Sequence, residues 1–256
     1  MRSGSRCRTN RQRLHAATDH WLRPVADGLV AVLLAPVWAA CRTPLEHPTQ
    51  GTVCAACWTS IVPTSPLGCE PLPPFITLAT AIGPYEGRLR DIIQALKYTP
   101  RPTIARHLAR RMRDAGAEVL AGASVVVPVP LHRSRERQRG FNQARELARH
   151  LGLPMADILV RTRKTETQAD LPAERRHANV RGSFELAHLR GGAAKVELAR
   201  RSGGAAKVVS VILVDDVRTT GATLSACAAA LLDAGAGEVR ALTAARAELK
   251  AGRSPL

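Results

Sequence analysis

The sequence predicts an α/β chain: a parallel sheet with helices on both faces, preceded by a small N-terminal Cys-rich module. Two observations carry this. From residue 76 onward, short Val- and Ile-rich runs alternate with Arg-rich stretches of helical period, the pattern of strands buried on both faces and joined by crossover helices. Upstream, four of the six cysteines, Cys41, Cys54, Cys57 and Cys69, cluster in a Pro- and Thr-rich stretch with no sustained period. At 256 residues, and roughly 150 residues per domain, one or two domains are expected.

The elements follow in order. ITLATAI (76–82) reads as a strand. GRLRDIIQALKY (87–98) spaces Leu89, Ile92, Ile93 and Leu96 along one helical face. A second helix with a basic outer face spans 103–120, and SVVVPVP (124–130) is a buried strand closed by prolines. FNQARELARHLG (141–152) is a helix ended by Gly152. KVVSVILVDD (207–216) is the strongest strand of the chain, ATLSACAAALLDAGA (222–236) a helix and EVRALTAAR (238–246) a final strand. The expected organisation is a disordered basic tail over 1–23, a helix and Cys-rich module over 24–74, and the sheet domain over 75–250. GGAAKV, at 191–196 and again at 203–208, reads as a short duplication in a surface loop.

Composition narrows the class. Apolar residues make up 45% and aromatics only 3%, so Ala, Val and Leu must fill the core without rings. Collagen, coiled coil and wholesale disorder are excluded. The net charge of +16, from 37 Lys+Arg against 21 Asp+Glu, suits polyanions: nucleic acid, phosphorylated metabolites or an anionic membrane face. A GC-rich coding sequence is an equal alternative source of the arginines. GLVAVLLAPVWAA (28–40) ahead of Cys41 has the outline of a signal peptide. At about 13 residues it is shorter than the roughly 20 that span a bilayer, and Pro36 interrupts it. A helix leading into the Cys cluster, no transmembrane segment and a cytoplasmic location are therefore expected. Six cysteines in this length do not make a secreted disulfide scaffold; a C-x2-C pair flanked by single cysteines points to a metal in a reducing compartment.

VILVDDVRTTGAT (211–223) is the most informative segment. A buried strand ends in Asp215 and Asp216, a turn of Thr219, Thr220 and Gly221 follows, and a helix begins at Ala222 and Thr223. Open α/β folds bind ligands at this edge of the sheet. Backbone N–H groups of 219–223 can converge on a phosphate there, aided by the helix dipole and the Thr hydroxyls. Gly221 permits close approach by the backbone. No GK[ST] is present, so this is not a nucleotide P-loop. Two acids ahead of a phosphate cradle suit sugar hydroxyls with a divalent ion nearby, as in a ribose 5-phosphate unit. The plain alternative is an acidic turn between a core strand and a core helix. Cys227, on the apolar face of the helix, reads as packing.

Two stretches are basic: 131–150, with six Arg against two Glu, and 161–181, with six Lys+Arg against three acids. Most of these residues are a solvated face. Arg135 and Arg139 are exceptions, because they follow the strand-ending Pro130 and a guanidinium fork suits diphosphate oxygens. His132 is either a proton carrier or a hydrogen-bonding loop residue, and Phe141 and Asn142 lock a helix start.

The 211–223 segment resembles the phosphoribosyl-pyrophosphate signature of type I phosphoribosyltransferases. Together with VVPVPLHRSRERQRGFNQARELA (126–148), ALKYTPRP (95–102) and TQADLPAERRHANVRGSFEL (167–186), it resembles the ComF family. Those are competence-associated, phosphoribosyltransferase-like proteins with an N-terminal zinc-ribbon-like module. The resemblance implies that Asp215 and Asp216 hold the ribose hydroxyls and that Thr219, Thr220, Gly221, Ala222 and Thr223 hold the 5-phosphate. It further implies a pyrophosphate loop at Leu131, His132 and Arg135, and a flexible lid over 161–181 containing Thr167, Gln168, Arg176 and Asn179. Magnesium would accompany phosphoribosyl pyrophosphate, and structural zinc would sit on Cys41, Cys54, Cys57 and Cys69. The family pattern has paired cysteines at both flanks; here Pro44 and Leu72 occupy the partner places, and His47 is a substitute candidate. Two functions stay open. One is phosphoribosyl transfer to an acceptor the sequence does not reveal. The other is a non-catalytic role in single-stranded DNA uptake or repair, through nucleic acid or a partner protein.

Overall fold

A computed structural model gives the fold, describing residues 39–41, 43, 53–63, 71–98, 102–163, 182–186 and 209–247. The chain divides into two compact units, residues 1–59 and 60–256. In the first, the short helix α1 (Ala55–Thr59) buries Cys57 and Trp58. The expected tail over 1–23 lies outside the described residues, as does the expected helix at 28–40 except for Ala39 and Ala40, which form a turn.

The second unit is built on a four-stranded parallel sheet, in the order β1-β6-β5-β2. The strands are β1 (Ala79–Pro84), β2 (Val125–Pro128), β5 (Ser210–Arg218) and β6 (Glu238–Arg246). Between them run α2 (Gly87–Tyr98), α3 (Pro102–Ala115), α4 (Ala117–Leu120), α5 (Arg133–Arg139), α6 (Gln143–Ala148) and α7 (Ala222–Asp233). A small antiparallel pair, β3 (Leu159–Arg161) with β4 (Phe184–Leu186), lies beside the sheet. Among the described residues, no helix is long and apolar enough to cross a membrane.

Period-2 alternation assigns the two faces of β5. Val211 and Leu213 pack with Cys227, Ala228 and Leu231 of α7. Ile212 and Val214, equally buried, face the other way. Leu242, level with Val214 on β6, turns to that second face and meets the end of α3. α3 is basic outside and buries Ile104, Leu108 and Met112 inside, as its spacing predicts. The expected 103–120 helix is broken at Gly116, where the chain must bend closely past Leu242. The expected 141–152 helix is shorter, and an unforeseen helix, α5, precedes it.

The lower edge of the sheet is locked by Glu238. It accepts from Thr77 Oγ1 at 2.7 Å, Ser210 Oγ at 3.2 Å and Arg240 at 2.9 Å. Arg240 also donates to the Val119 and Ala121 carbonyls, tying α4 to β6.

Gly116 offers a test of this packing. At φ −102° its backbone suits any residue, and replacing Gly by Ala at such a position ordinarily stabilises by about 0.4–1 kcal/mol. Here a Cβ would lie 2.6 Å from Leu242 Cδ1 and 2.7 Å from the Met112 carbonyl oxygen. Overpacking of that kind costs about 1–3 kcal/mol, so the steric term wins. Gly116→Ala is expected to lower Tm by several degrees; a variant melting at or above wild type would show that α3 and β6 have slack here.

Candidate functional site

The acidic pair lies inside β5, because β6 keeps pairing with it as far as Arg218↔Arg246. The sequence suggested a strand that ended at the two carboxylates; the strand instead continues through Val217 and Arg218. Adjacent strand residues point to opposite faces, and so do these. Asp215 shares the α7 side with Leu213, in the company of Cys227 and of Arg161 at the end of β3. Asp216 turns to the α2 side, where its Oδ2 lies 3.4 Å from Lys97 Nζ, the two side chains only 15% and 18% exposed.

Burial, reinforced by the charge of Asp216, pushes the Asp215 carboxyl up to about 7, although the Asp216 N–H donates to its Oδ1 at 2.8 Å. Lys97 behaves differently. Burial works against its ammonium, but Asp216, then Tyr85 and Asp215, outweigh it and raise its pKa. Lys97 also stands 5.5 Å from the centre of the Tyr85 ring, whose hydroxyl accepts from Gln94 Nε2 at 2.5 Å.

Beyond Arg218 the chain turns through Thr219 and Thr220 to Gly221, the N-cap residue of α7. Gly221 adopts φ +78°, a left-handed conformation that a side chain would strain. Its α-carbon is also covered: a Cβ there would stand 2.5 Å from Pro73 Cγ. The close approach anticipated for a ligand is thus made by the protein's own Pro73. Thr220 Oγ1 accepts from the Ala222 N–H at 3.4 Å, and the Ser225 N–H and hydroxyl close the first turn onto the Gly221 carbonyl.

A second arm leaves β2 at Val129 and Pro130. Leu131 and His132 form a turn, while Arg135 lies within the first turn of α5. His132 caps that helix, its Nδ1 accepting from the Ser134 N–H at 3.2 Å, which favours the hydrogen-bonding role over a proton carrier. Asn142 locks α6 as expected: its Nδ2 donates to the Val129 carbonyl and its Oδ1 accepts from the Ala144 N–H. His132 also bridges to Arg161, bringing β3 alongside the turn. Burial, with the charge of Arg135 added, lowers the pKa of Arg161, whose guanidinium stands 5.3 Å from the centre of the Phe184 ring. A cavity of about 160 Å³ opens here, lined by residues that include Pro130, Leu131, Arg133, Glu136 and Arg161.

In the first unit Cys41, Cys54 and Cys57 converge, their sulfurs all within 4.8 Å of one another. The Cys41–Cys54 separation of 3.9 Å is close to the edge of a tetrahedron with metal–sulfur bonds of about 2.3 Å. The Cys57 N–H points at Cys54 Sγ from 3.4 Å. A hydrogen bond from Thr43 draws the Cys41 thiol down to about 7, and burial pushes Cys57 up to about 12. This three-cysteine set fits a metal ion.

Cys69 and the lid residues Thr167, Gln168, Arg176 and Asn179 lie outside the described residues. The sequence reading missed Lys97 and Tyr85, and it placed residue 161 at the start of a flexible lid, whereas Arg161 ends β3, paired with Phe184. A lysine in the last turn of an amphipathic helix looks like surface in sequence, and only the tertiary fold reveals its carboxylate partner.

The elevated Asp215 pKa has a consequence for stability. Between about 3.8, its unfolded value, and about 7 the folded chain holds a proton that the unfolded chain has released. The group's contribution is therefore full below that window and is lost as pH rises through 7. Asp215→Asn, uncharged throughout, should match wild type in Tm only near pH 4 and below, and its advantage should grow from pH 5 to pH 8, where it reaches a few degrees or more. A difference that stays flat across this range would show that the carboxyl is not desolvated.

The comparisons agree with this architecture. The model of the phosphoribosyl transferase domain matches residues 104–254. Competence protein F of Haemophilus influenzae is 35% identical over 176 residues, covering 65% of this chain and 71% of the relative. The DNA utilization protein YhgH of Escherichia coli K12 is 30% identical over 207 residues, 75% of this chain and 83% of the relative. Competence protein ComFC of Bacillus subtilis is 32% identical over 111 residues, 43% and 39% of the two chains. With the parallel sheet, the Thr-Gly turn after an acidic strand and the N-terminal cysteine cluster, these likenesses identify the chain as a member of the ComF family of phosphoribosyltransferase-like proteins.

Proposed function

We propose that the chain binds phosphoribosyl pyrophosphate at the upper edge of β5 and transfers its phosphoribosyl group to an acceptor. The observation that carries this reading is the juxtaposition of a half-buried acidic pair with a Thr-Thr-Gly turn at the N-terminus of a twelve-residue helix. Asp215 and Asp216 accept hydrogen bonds from the ribose hydroxyls. The 219–223 turn, with its hydroxyls and helix dipole, takes the 5-phosphate. The turn at Leu131 and His132, with Arg135, faces the diphosphate, and Thr167, Gln168, Arg176 and Asn179 close over it. In the transfer the bond from the anomeric carbon to the diphosphate oxygen breaks. A bond to the acceptor forms, and the acceptor gives up a proton. Magnesium bound with the diphosphate offsets the charge of the leaving group. The chain's part is to orient the ribose, to hold charge near the anomeric carbon and to exclude water.

The cysteine cluster is a structural zinc site completed by Cys69, and a reducing cytoplasm keeps its thiols available. A second reading, support of single-stranded DNA uptake, is favoured by relatives named for competence and DNA utilization and by the +16 charge. In that role the site senses a phosphoribosyl ligand without turning it over.

Calorimetry with phosphoribosyl pyrophosphate and magnesium tests the primary reading. Wild type should bind, and the double variant Asp215→Asn, Asp216→Asn should lose at least tenfold in affinity while keeping its circular dichroism. Unchanged affinity in the folded double variant would remove the site assignment. Release of labelled pyrophosphate with a panel of bases and amines separates transfer from sensing.

Elemental analysis tests the metal. The purified chain should carry about one zinc, and Cys57→Ser should lose it. Protein grown with ample zinc and purified empty would refute the assignment.

A further inference from the structure

Lys97 is one of only five lysines among 37 basic residues, and it stands where the fold gives a cation unusual work. It closes the last turn of α2, and its ammonium reaches Asp216 at 3.4 Å from the side opposite Asp215. On the same helix the pair Arg88–Asp91 is 45% and 43% exposed, the kind of contact worth little in water. The Lys97–Asp216 pair is nearly closed to solvent. A buried pair is a poor stabiliser compared with apolar residues of the same volume, so its place at a ligand edge asks for a functional reason.

The backbone at Lys97 is tied into the other arm of the site. Gln143 Nε2, on a side chain only 2% exposed, donates to the Lys97 carbonyl at 3.4 Å. Its neighbour Asn142 holds the Val129 carbonyl just ahead of the Leu131–His132 turn. Two adjacent buried side chains at the start of α6 thus hold the backbone of both arms, Gln143 at Lys97 and Asn142 at the end of β2.

We propose that Lys97 is a positioning residue that holds Asp216 for the hydroxyls of a phosphorylated pentose. The inference rests on the phosphoribosyl reading above and deepens it. The choice of lysine matters. An ammonium is a compact point charge that meets Asp216 at one oxygen, Oδ2, and leaves the other to accept from a hydroxyl. A guanidinium presents a planar fork suited to both carboxylate oxygens at once, and would occupy the atom the ligand needs. Arginine at 97 would thus preserve the ion pair and damage the site, a combination that a purely structural lysine would not show.

The experiment compares wild type, Lys97→Arg and Lys97→Met by calorimetry, with two probes: phosphoribosyl pyrophosphate with magnesium, and inorganic pyrophosphate with magnesium. Lys97→Arg should melt within a few degrees of wild type yet lose roughly tenfold in affinity for the first probe, while pyrophosphate affinity stays within twofold. Lys97→Met should show the same split, and Lys97→Gln replaces it if it does not fold. Lys97→Arg binding phosphoribosyl pyrophosphate within twofold of wild type overturns the inference. So does an equal loss for both probes, which would mean that Lys97 touches the diphosphate itself or supports the fold at large. A wild-type chain that binds no phosphoribosyl pyrophosphate defeats the reading of the site, and this inference with it.

Discussion

The parallel pairing of β5 with β6, from Ser210↔Glu238 up to Arg218↔Arg246, is the constraint on which the upper edge depends. An extended strand must alternate, so consecutive acids inside it cannot share a face. Each therefore needs its own surroundings. Asp216 receives Lys97 from α2, and Asp215 receives the distant charge of Arg161 from β3. The last turn of α2 thus meets the sheet at the level where the two carboxylates emerge. The turn to α7 is displaced as well: it begins only after Arg218, and a left-handed Gly221 is needed to bring the helix back down.

The two ends of the same strand pair treat carboxylates in opposite ways. At the lower end Glu238 takes hydrogen bonds from Arg240, Thr77 and Ser210, and the first of these, Arg240, does most to hold its carboxyl down to about 2. Every donor there belongs to the scaffold, and the group is satisfied without a ligand. At the upper end Asp215 has one backbone N–H and is desolvated to a pKa of about 7. A shift of one unit is about 1.4 kcal/mol, so the upper edge holds back stability that the lower edge supplies. Perturbed groups of this kind concentrate where ligands bind, because a ligand can furnish what the fold withholds.

Much of this was legible beforehand. Val/Ile runs are unambiguous when a strand is buried on both faces, and β6 was read with its bounds intact, at 238–246. The Asp-Asp and Thr-Thr-Gly residues are adjacent in sequence, so a local motif could find them. What escaped depended on partners far away in the chain. The break at Gly116 is imposed by Leu242, and the covering of Gly221 by Pro73. Lys97 gains its meaning from Asp216, more than a hundred residues later. The end of β5 was misplaced for a related reason. Asp and Asn are poor strand formers, and a reader of propensity stops there, but hydrogen bonding to β6 carries the strand on.

The first unit sets a different physical problem. Among its described residues Ala40, Val53, Cys57 and Trp58 are buried, alongside three converging thiols. These thiols are not ligands while they carry protons. One sits near 7 and another is pushed to about 12, so they cannot all ionise side by side without a cation between them. A divalent metal removes that obstacle. It turns desolvated thiols into ligands, and its binding free energy becomes folding free energy because the unfolded chain offers no formed site. Cys57 stands in α1 next to the buried Trp58, so the proposed zinc would be coupled to the apolar packing of that helix.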